Sequence, residues 1–358
     1  MFSLASAHVL ADDNRGAMTA RAVVAIVSPV RPQASSGNNI TSLRWSSLLQ
    51  RAGHEAVVVH MDEAAADMPT AARNQLDNAD VLIALHARRS RSAVSWWTAR
   101  HPERPVIVAM TGTDLYVDLP HDISARASTE SADALITLQR AAEERLGSMK
   151  ALWGAKATTI HQSVAGPHLP RDLSDNVMNI VVLAHLRPVK DPLLTARAAR
   201  HLPPESRVMV HHAGGPMDAE LTKEAIVEHE TNARYQWHRE LNRPDVQRLL
   251  ASAHALACTS ISEGGANVVS EAIAMGIPVI GTRIDGNVGL VGQDHPGLIP
   301  VGDERALAQL LVNMERDPAL MEALQQRTDE LQPMTQPDAE QKALAALVAE
   351  VLEARRVS

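Results

Sequence analysis

The chain has 358 residues, of which 45% are hydrophobic and 21% charged, and its net charge is -8. This composition is typical of a soluble globular protein of about two domains, and it excludes a disordered or fibrous chain. The acidic balance, with basic residues interleaved, argues against a nucleic-acid surface. A single cysteine, Cys258, excludes a disulfide framework, and the scattered histidines lead us to expect no metal site.

The first residues of the chain have no basic stretch ahead of their apolar residues, so they do not resemble a signal peptide. We expect residues 1–21 to be a flexible N-terminal extension, with Met18 as an alternative start. No apolar run approaches the roughly 20 residues that cross a bilayer. We therefore expect a cytoplasmic protein without stable membrane association.

From Ala22 onward, short β-branched runs alternate with longer helical patterns. The predicted strands of the first half are AVVAIVS, EAVVVH, ADVLIALHA, PVIVAMT, DALITL and ATTIHQS. Amphipathic segments lie between several of them, namely ITSLRWSSLLQRAG, SAVSWWTARH and QRAAEERLGSMKALWG. Continuous apolar strands separated by helices predict a parallel sheet covered on both faces, and hence one Rossmann-like domain over residues 22–168.

The Pro-, Gly- and Asp-rich segment VAGPHLPRDLSDN interrupts the alternation and predicts a linker. The strands MNIVVLA, RVMVHHAG, ARYQWH, AHALACTS and IPVIGT then predict a second Rossmann-like domain over residues 176–332. Residues 333–358 are predicted to form a C-terminal helix. Two such domains create a cleft between the carboxyl ends of their strands, where ligands of open α/β sheets bind.

The stretch SEGGANVVSEAIAMGIPVIGT, residues 262–282, holds the strongest functional pattern. SEGGAN follows the strand ALACTSI and predicts a turn, while NVVSEAIAM predicts a helix capped by Asn267 and ended by Gly276. The N-terminus of a helix favours phosphate, and Gly264 and Gly265 let the backbone approach a ligand.

Two glutamates frame this helix start. Glu271 lies one turn past Asn267, about 6 Å along the axis, where its carboxylate can accept hydrogen bonds from ribose hydroxyls. Glu263 lies in the preceding loop, on the other side of a diphosphate placed there. The spacing favours a nucleotide sugar; the alternative is that both are ordinary surface residues.

EGGANVVSEAIAMGIPVIGT resembles the E-x7-E signature of the family 4 glycosyltransferases, which have the two-domain GT-B fold and use nucleotide-sugar donors. The resemblance covers most of the chain from about residue 22. VVLAHLRPVKDP is similar to the family's G-R-x-x-x-K pattern, although His185 stands where the family usually has Gly. The resemblance implies that Arg187 and Lys190 hold the donor diphosphate and act with Glu263 in catalysis. The donor-binding residues are then Gly37, Asn38, Gly264, Gly265, Ala266, Asn267 and Glu271.

Two polar loops of the first half point to the acceptor side of the cleft. SPVRPQASSGNNITSLRW predicts a flexible backbone at Gly37 whose amides suit donor phosphate or a small acceptor, and MTGTDLY follows another strand. Arg31 and Arg44 flank the first loop and could meet an anion, but we interpret each as an ordinary surface residue. The alternative for both loops is ordinary turn chemistry. The acceptor-side candidates are Arg31, Asn39, His86, Thr111, Gly112, Thr113 and Asp114.

These two loops, SPVRPQASSGNNITSLRW and TGTDLY, resemble those of the bacterial selenosugar synthases of selenoneine biosynthesis. That resemblance implies a UDP-sugar donor, either UDP-N-acetylglucosamine or UDP-glucose, with selenophosphate as the nucleophile and no cofactor or metal. Two alternatives stay open: a family 4 enzyme acting on an ordinary hydroxyl or thiol, and a nonenzymatic sugar-nucleotide-binding protein. The donor sugar, the stereochemical outcome and the oligomeric state do not follow from the sequence.

Overall fold

The computed structural model describes residues 21–32, 36–61, 68–112, 114–166 and 169–357. Most of the predicted N-terminal extension and Thr113 therefore lie outside the described residues. The predicted α/β architecture is confirmed, because two six-stranded parallel sheets follow one another along the chain.

The first sheet lies in the order β2-β1-β3-β4-β5-β6, and all of its strands are parallel. Its strands β3 and β4 are buried along their whole length, because helices cover both faces. The strands are β1 Val23–Ser28, β2 Glu55–His60, β3 Val81–Leu85, β4 Val106–Met110, β5 Ala134–Thr137 and β6 Ala157–Thr159. The helices are α1 Gly37–Arg51, α2 Thr70–Asp77, α3 Arg91–Arg100, α4 Ile123–Ser131, α5 Arg140–Met149 and α6 Ala151–Lys156, with a π-helical turn at Asp114–Asp118.

The second sheet lies in the order β12-β11-β10-β7-β8-β9. Its order reverses between β7 and β10, and the loops that follow these two strands flank the crevice where such sheets bind ligands. The strands are β7 Met178–Leu183, β8 Val208–Ala213, β9 Tyr235–Trp237, β10 Ala255–Cys258, β11 Val279–Thr282 and β12 Leu298–Ile299. The helices are α7 Leu194–Ala199, α8 Ala219–Thr231, α9 Arg243–Ala251, α10 Asn267–Ala274, α11 Asp285–Val291, α12 Glu304–Arg316, α13 Pro318–Leu331 and α14 Pro337–Val357, with 3-10 turns at Pro188–Lys190 and Gln332–Thr335.

The last helix, α14, does not pack on the second sheet, which precedes it in sequence. Its buried residues Leu344, Leu347, Val348 and Val351 share a core with Trp45 and with strands of the first sheet. The two segments that join the halves of the molecule also lie side by side, since the backbone N–H of Val164 donates to the Thr335 carbonyl at 3.0 Å. The chain thus crosses from the first half to the second and back again.

Local structure differs from the sequence-based expectations at two helices. QRAAEERLGSMKALWG forms α5 and α6 instead of one helix, because Lys150 between them is extended, with φ -159 and ψ 119. Helix α1 begins at Gly37, after Ser36 as N-cap, so the expected flexible backbone at Gly37, Asn38 and Asn39 is wrong: these residues form the first turn of the helix.

In the part of the chain that the structure describes, no helix combines the length and the apolar character needed to cross a membrane.

Candidate active site

The carboxyl ends of the two sheets face each other and touch at the glycine-rich turn before α10. A Cβ at Gly264 would lie 2.6 Å from the backbone nitrogen of Gly112 in the first half of the molecule. A Cβ at Gly265 would lie 2.7 Å from Cβ of Leu138. Both distances are shorter than side chains tolerate, so these glycines allow the two halves to approach closely.

Lys190 and Glu263 form an ion pair at the point where the order of the second sheet reverses. Lys190 ends the 3-10 turn after β7, and Glu263 lies in the loop after β10. The Ser260 hydroxyl donates to Glu263 Oε1 at 2.7 Å, and the N–H of Ile261 donates to the Val189 carbonyl at 2.8 Å. These contacts hold both loops in one arrangement, with a cation and a carboxylate at the floor of the cleft.

Arg187 lies three residues before Lys190, at the start of the same turn, and its side chain is exposed. The structure therefore places the two predicted diphosphate-binding cations in one loop at the carboxyl edge of the sheet. Such a pair can neutralise a diphosphate through charge-assisted hydrogen bonds.

Glu271 lies in α10, one turn from its start, and burial raises the pKa of its carboxyl. The charges of Arg243 and Arg44 act in the opposite direction and lower that pKa. Its carboxylate makes no hydrogen bond to any other residue that the structure describes. Glu271 is half-buried, and a partly desolvated carboxylate without donors gains free energy when a ligand supplies hydroxyl groups.

The predicted cap at Asn267 is wrong by one position. Ala266 is the N-cap of α10 and gives no side-chain hydrogen bond, while Asn267 is the first helical residue. The side-chain oxygen of Asn267 instead accepts a hydrogen bond from Nη1 of Arg44, at 3.4 Å, across the cleft. The N–H of Val269 donates to the Ala266 carbonyl at 3.0 Å, whereas those of Asn267 and Val268 have no acceptor among the described residues and can donate to a ligand.

The first turn of α1 lies opposite this helix start. A Cβ at Gly37 would lie 3.3 Å from the side-chain nitrogen of Asn267, so the two helix N-termini meet. Asn39 is buried and donates from Nδ2 to the Pro32 carbonyl at 3.0 Å, whereas Asn38 is half-buried and Arg31 is exposed. The predicted donor role of Gly37 and Asn38 therefore falls on the N-terminus of a helix.

His86, an acceptor-side candidate, follows β3 with a backbone φ of 68. A residue other than glycine in this left-handed region is strained, and such strain is concentrated at functional sites. Its buried ring lies between two carboxylates, with Nδ1 4.0 Å from Oδ2 of Asp114 and Nε2 3.7 Å from Oδ2 of Asp118. Arg88 also pairs with Asp118, its Nε lying 3.2 Å from Oδ1.

The carboxylate of Asp114 is fully buried and accepts three backbone hydrogen bonds. Oδ2 accepts from the N–H of Ala87 at 3.0 Å and of Thr111 at 3.2 Å, and Oδ1 accepts from the N–H of Gly112 at 2.7 Å. Asp114 thus ties the loops after β3 and β4 together. Its direct contact with an acceptor stays a prediction, as does that of Thr111, whose buried hydroxyl has no hydrogen-bond partner among the described residues.

A cavity of about 190 Å³ adjoins Glu263 and contains residues that the sequence analysis did not select. Tyr116 from the π-helical turn lines one side, and residues 261–263 and 284–286 line the other. The phenol of Tyr116 accepts from Nε2 of Gln139 at 2.8 Å, and burial raises its pKa. Asp285 reaches across to Nη1 of Arg145 at 3.4 Å.

Two parallel-sheet Rossmann-like domains facing a cleft define the GT-B fold, and solved structures of that fold superpose on nearly the whole chain. HepE of Anabaena, solved in complex with UDP, has a TM-score of 0.70 and 14% identity over 92% of this chain and 100% of that one. The sucrose-phosphate synthase of Thermosynechococcus elongatus has a TM-score of 0.75 and 17% identity over 93% and 100%.

Sequence comparison finds a protein family that matches the second half of the chain. Residues 172–331, slightly less than half of the chain, match the model of the family "Glycosyl transferases group 1". The protein is also 26% identical, over 75% of this chain and 81% of the relative, to "Glycosyltransferase 1 domain-containing protein 1" of Xenopus tropicalis. The matched region contains Arg187, Lys190, Glu263 and Glu271.

Proposed function

We propose that this protein transfers a glycosyl group from a UDP-sugar to selenophosphate, forming a selenosugar for selenoneine biosynthesis. The observation that carries the donor half is the half-buried Glu271 carboxylate, which accepts no hydrogen bond from the described residues and lies one turn into helix α10, whose N-cap offers no side-chain hydrogen bond. With a diphosphate at the start of α10, the ribose hydroxyls reach this carboxylate. A UDP complex of the similar HepE structure supports the same choice of nucleotide.

In the proposed reaction, selenium forms a bond to C1 of the sugar as the bond from C1 to the β-phosphate oxygen breaks and UDP leaves. Water then cleaves the Se–P bond of the resulting glycosyl selenophosphate, which releases phosphate and the selenosugar. Arg187, Lys190 and the N–H groups at the start of α10 stabilise the negative charge that develops on the departing UDP. Closure of the cleft aligns the nucleophile and excludes water. We expect no metal to be required, because these groups supply the positive charge.

Two observations support selenophosphate as the acceptor. They are the resemblance of the two loops in the first half of the chain to those of selenosugar synthases, and the hydrogen bonds that the Asp114 carboxylate already accepts. A hydroxyl acceptor must lose a proton as it attacks and therefore calls for a positioned base. Asp114 and His86, both after strands of the first half, are the best candidates for such a base, yet the Asp114 carboxylate already accepts three backbone hydrogen bonds. An acceptor that arrives ionised, such as selenophosphate, needs no base.

The direct test incubates the protein with UDP-N-acetylglucosamine or UDP-glucose and each of several acceptors: selenophosphate, inorganic phosphate, a small thiol and a sugar alcohol. We expect UDP release and a selenosugar mass with selenophosphate alone. Transfer to the thiol or the alcohol in its place would favour an ordinary family 4 transferase. Tight UDP-sugar binding without turnover on any acceptor would favour a nonenzymatic sugar-nucleotide-binding protein.

His86→Asn tests whether a base is needed. We expect this change to raise KM for selenophosphate while the pH dependence of turnover keeps its shape, because the acceptor is already anionic. Loss of turnover at saturating selenophosphate, together with loss of the acidic limb of the pH profile, would contradict the proposal and favour a hydroxyl acceptor.

A further inference from the structure

Arg44 lies at the meeting point of three elements, and its contacts do not match those of a surface residue. It belongs to α1, its side chain is 11% exposed, and its Nε lies 2.9 Å and 3.2 Å from the two carboxylate oxygens of Glu340 in α14. Its Nη1 reaches Asn267 at the start of α10. The interpretation of Arg44 as an ordinary surface residue is therefore wrong.

Glu340 fixes the orientation of this guanidinium. Its carboxylate is fully buried and also accepts hydrogen bonds from Nε1 of Trp45 at 2.7 Å, from the N–H of Ser163 at 2.8 Å and from the Ser163 hydroxyl. A carboxylate held by so many donors cannot turn to follow the arginine. Glu340 accepts hydrogen bonds only from Nε of Arg44. The other edge of the guanidinium, formed by Nη1 and Nη2, therefore points away from Glu340.

The Nη1–Nη2 edge of Arg44 has fewer hydrogen-bond acceptors than it has N–H groups. Nη1 makes a single long contact of 3.4 Å with Asn267, and Nη2 is buried with no hydrogen-bond partner among the described residues. A buried guanidinium N–H without an acceptor is costly, so such a group indicates a ligand that supplies one. Two parallel N–H groups match two oxygens of a phosphate group.

The surroundings of this edge favour an anion. The N-termini of α1 and α10 approach each other here, with the Cβ position of Gly37 3.3 Å from the Asn267 amide, and each contributes a positive partial charge. Arg44 also acts on Glu271, whose pKa its charge lowers. Arg44 thus lies beside both the phosphate seat and the ribose-facing carboxylate.

We propose that Arg44 is a diphosphate-binding residue supplied by the first half of the molecule, oriented by Glu340, with its Nη1–Nη2 edge donating to a nucleoside diphosphate at the start of α10. This inference rests on the proposed function, because it requires a nucleoside diphosphate in the cleft. It adds to Arg187 and Lys190 a third cation from the opposite wall, so that the ligand joins the two halves.

Arg44→Lys tests the proposal, because lysine keeps a cation beside Glu340 and removes the two-nitrogen edge. The chain offers a matched control in Arg51→Lys. Arg51 lies on the same helix and pairs with Asp338 of the same α14, Nη2 to Oδ1 at 2.9 Å, on the exposed side away from the cleft. Affinities for UDP are measured by calorimetry and for uridine by competition.

We expect Arg44→Lys to weaken UDP binding about tenfold or more and to leave uridine binding unchanged, since only the diphosphate loses a charged hydrogen bond. Arg51→Lys should change neither affinity. Equal losses for UDP and uridine, or no loss for either, would show that Arg44 only anchors α14 and would overturn the proposal. If Arg44→Lys does not fold, Arg44→Gln is measured in its place. Failure of the wild-type protein to bind UDP would instead refute the proposed function.

Discussion

Individual buried charges distinguish this cleft from the rest of the surface. Glu271 is half-buried and accepts no hydrogen bond from the described residues, while Arg44 and Glu340 pair across 296 positions of sequence. The E-x7-E spacing was enough to select Glu263 and Glu271, because all residues of a strand-turn-helix site lie close together in the sequence. Arg44 could not be assigned in this way, since its acidic partner is defined only by how α14 packs. The cap of α10 was misplaced by one residue, the usual uncertainty of a helix end.

Glu271→Gln should stabilise the ligand-free protein at neutral pH and weaken UDP binding. The pKa of Glu271 is raised in the folded protein above its ordinary value of 4.5, so the native state binds more protons than the unfolded one. The free energy of unfolding therefore falls as pH rises above 4.5 towards the folded pKa, and the variant lacks this fall. Loss of the hydroxyl contacts should reduce UDP affinity roughly tenfold.

Thermal melts from pH 4 to 8 measure the change in stability, and melts with and without UDP measure the change in UDP binding. Glu224→Gln, on the exposed face of α8, is the control and should alter neither the melts nor the UDP response. A Glu271→Gln variant with wild-type UDP affinity would rule out the ribose contact.

At the scale of elements, the strands were predicted well and the turns between them less so. Apolar runs such as VLIAL and VIVAM are buried on both faces, so composition alone defines them. The break at Lys150 and the π-helical turn at Asp114–Asp118 depend on tertiary contacts that no local pattern records. The contact between the turn before α10 and the loop after β4 likewise depends on tertiary structure and cannot be predicted from local sequence.

Gly264→Ala should hold the two halves of the molecule apart. The new Cβ would lie 2.6 Å from N and 2.7 Å from Cα of Gly112, which are backbone atoms that cannot rotate away. We expect a larger radius of gyration by small-angle scattering in the presence of UDP, and a lower kcat. Gly112→Ala is the matched control for the radius, because a Cβ there meets nothing within 4 Å. An unchanged radius and kcat in Gly264→Ala would show that this contact does not limit closure.

At the scale of the whole molecule, the last helix of the described chain packs on the first sheet. The periodicity of DAEQKALAALVAEVLEARR predicts α14 but not the sheet that it covers, because an amphipathic helix fits any apolar surface of suitable shape. The structure places it against Trp45 and the first sheet. The first domain therefore depends on residues from both ends of the sequence.

Leu344→Ala should destabilise the first domain by about 2 to 5 kcal/mol, the usual cost of such a cavity. Leu344 is fully buried in the core that contains Trp45, and four of the five tryptophans lie in the first half of the chain. Tryptophan fluorescence in a urea titration should show an earlier transition. Leu324→Ala, equally buried in the core of the second sheet, should have a smaller effect on that signal. Equal shifts from both variants would mean that the two domains unfold as one unit.

The return of α14 has a consequence for how the protein is made. The first sheet is complete once β6 has left the ribosome, but the helix that closes one of its faces is encoded about 180 residues later. At synthesis rates of about 5 to 20 residues per second, that face waits about 10 to 40 seconds for its last helix. During that interval the nascent first domain exposes the apolar surface that Leu344, Leu347, Val348 and Val351 later cover. The nascent first domain is therefore most prone to aggregate in that interval, before α14 has been made.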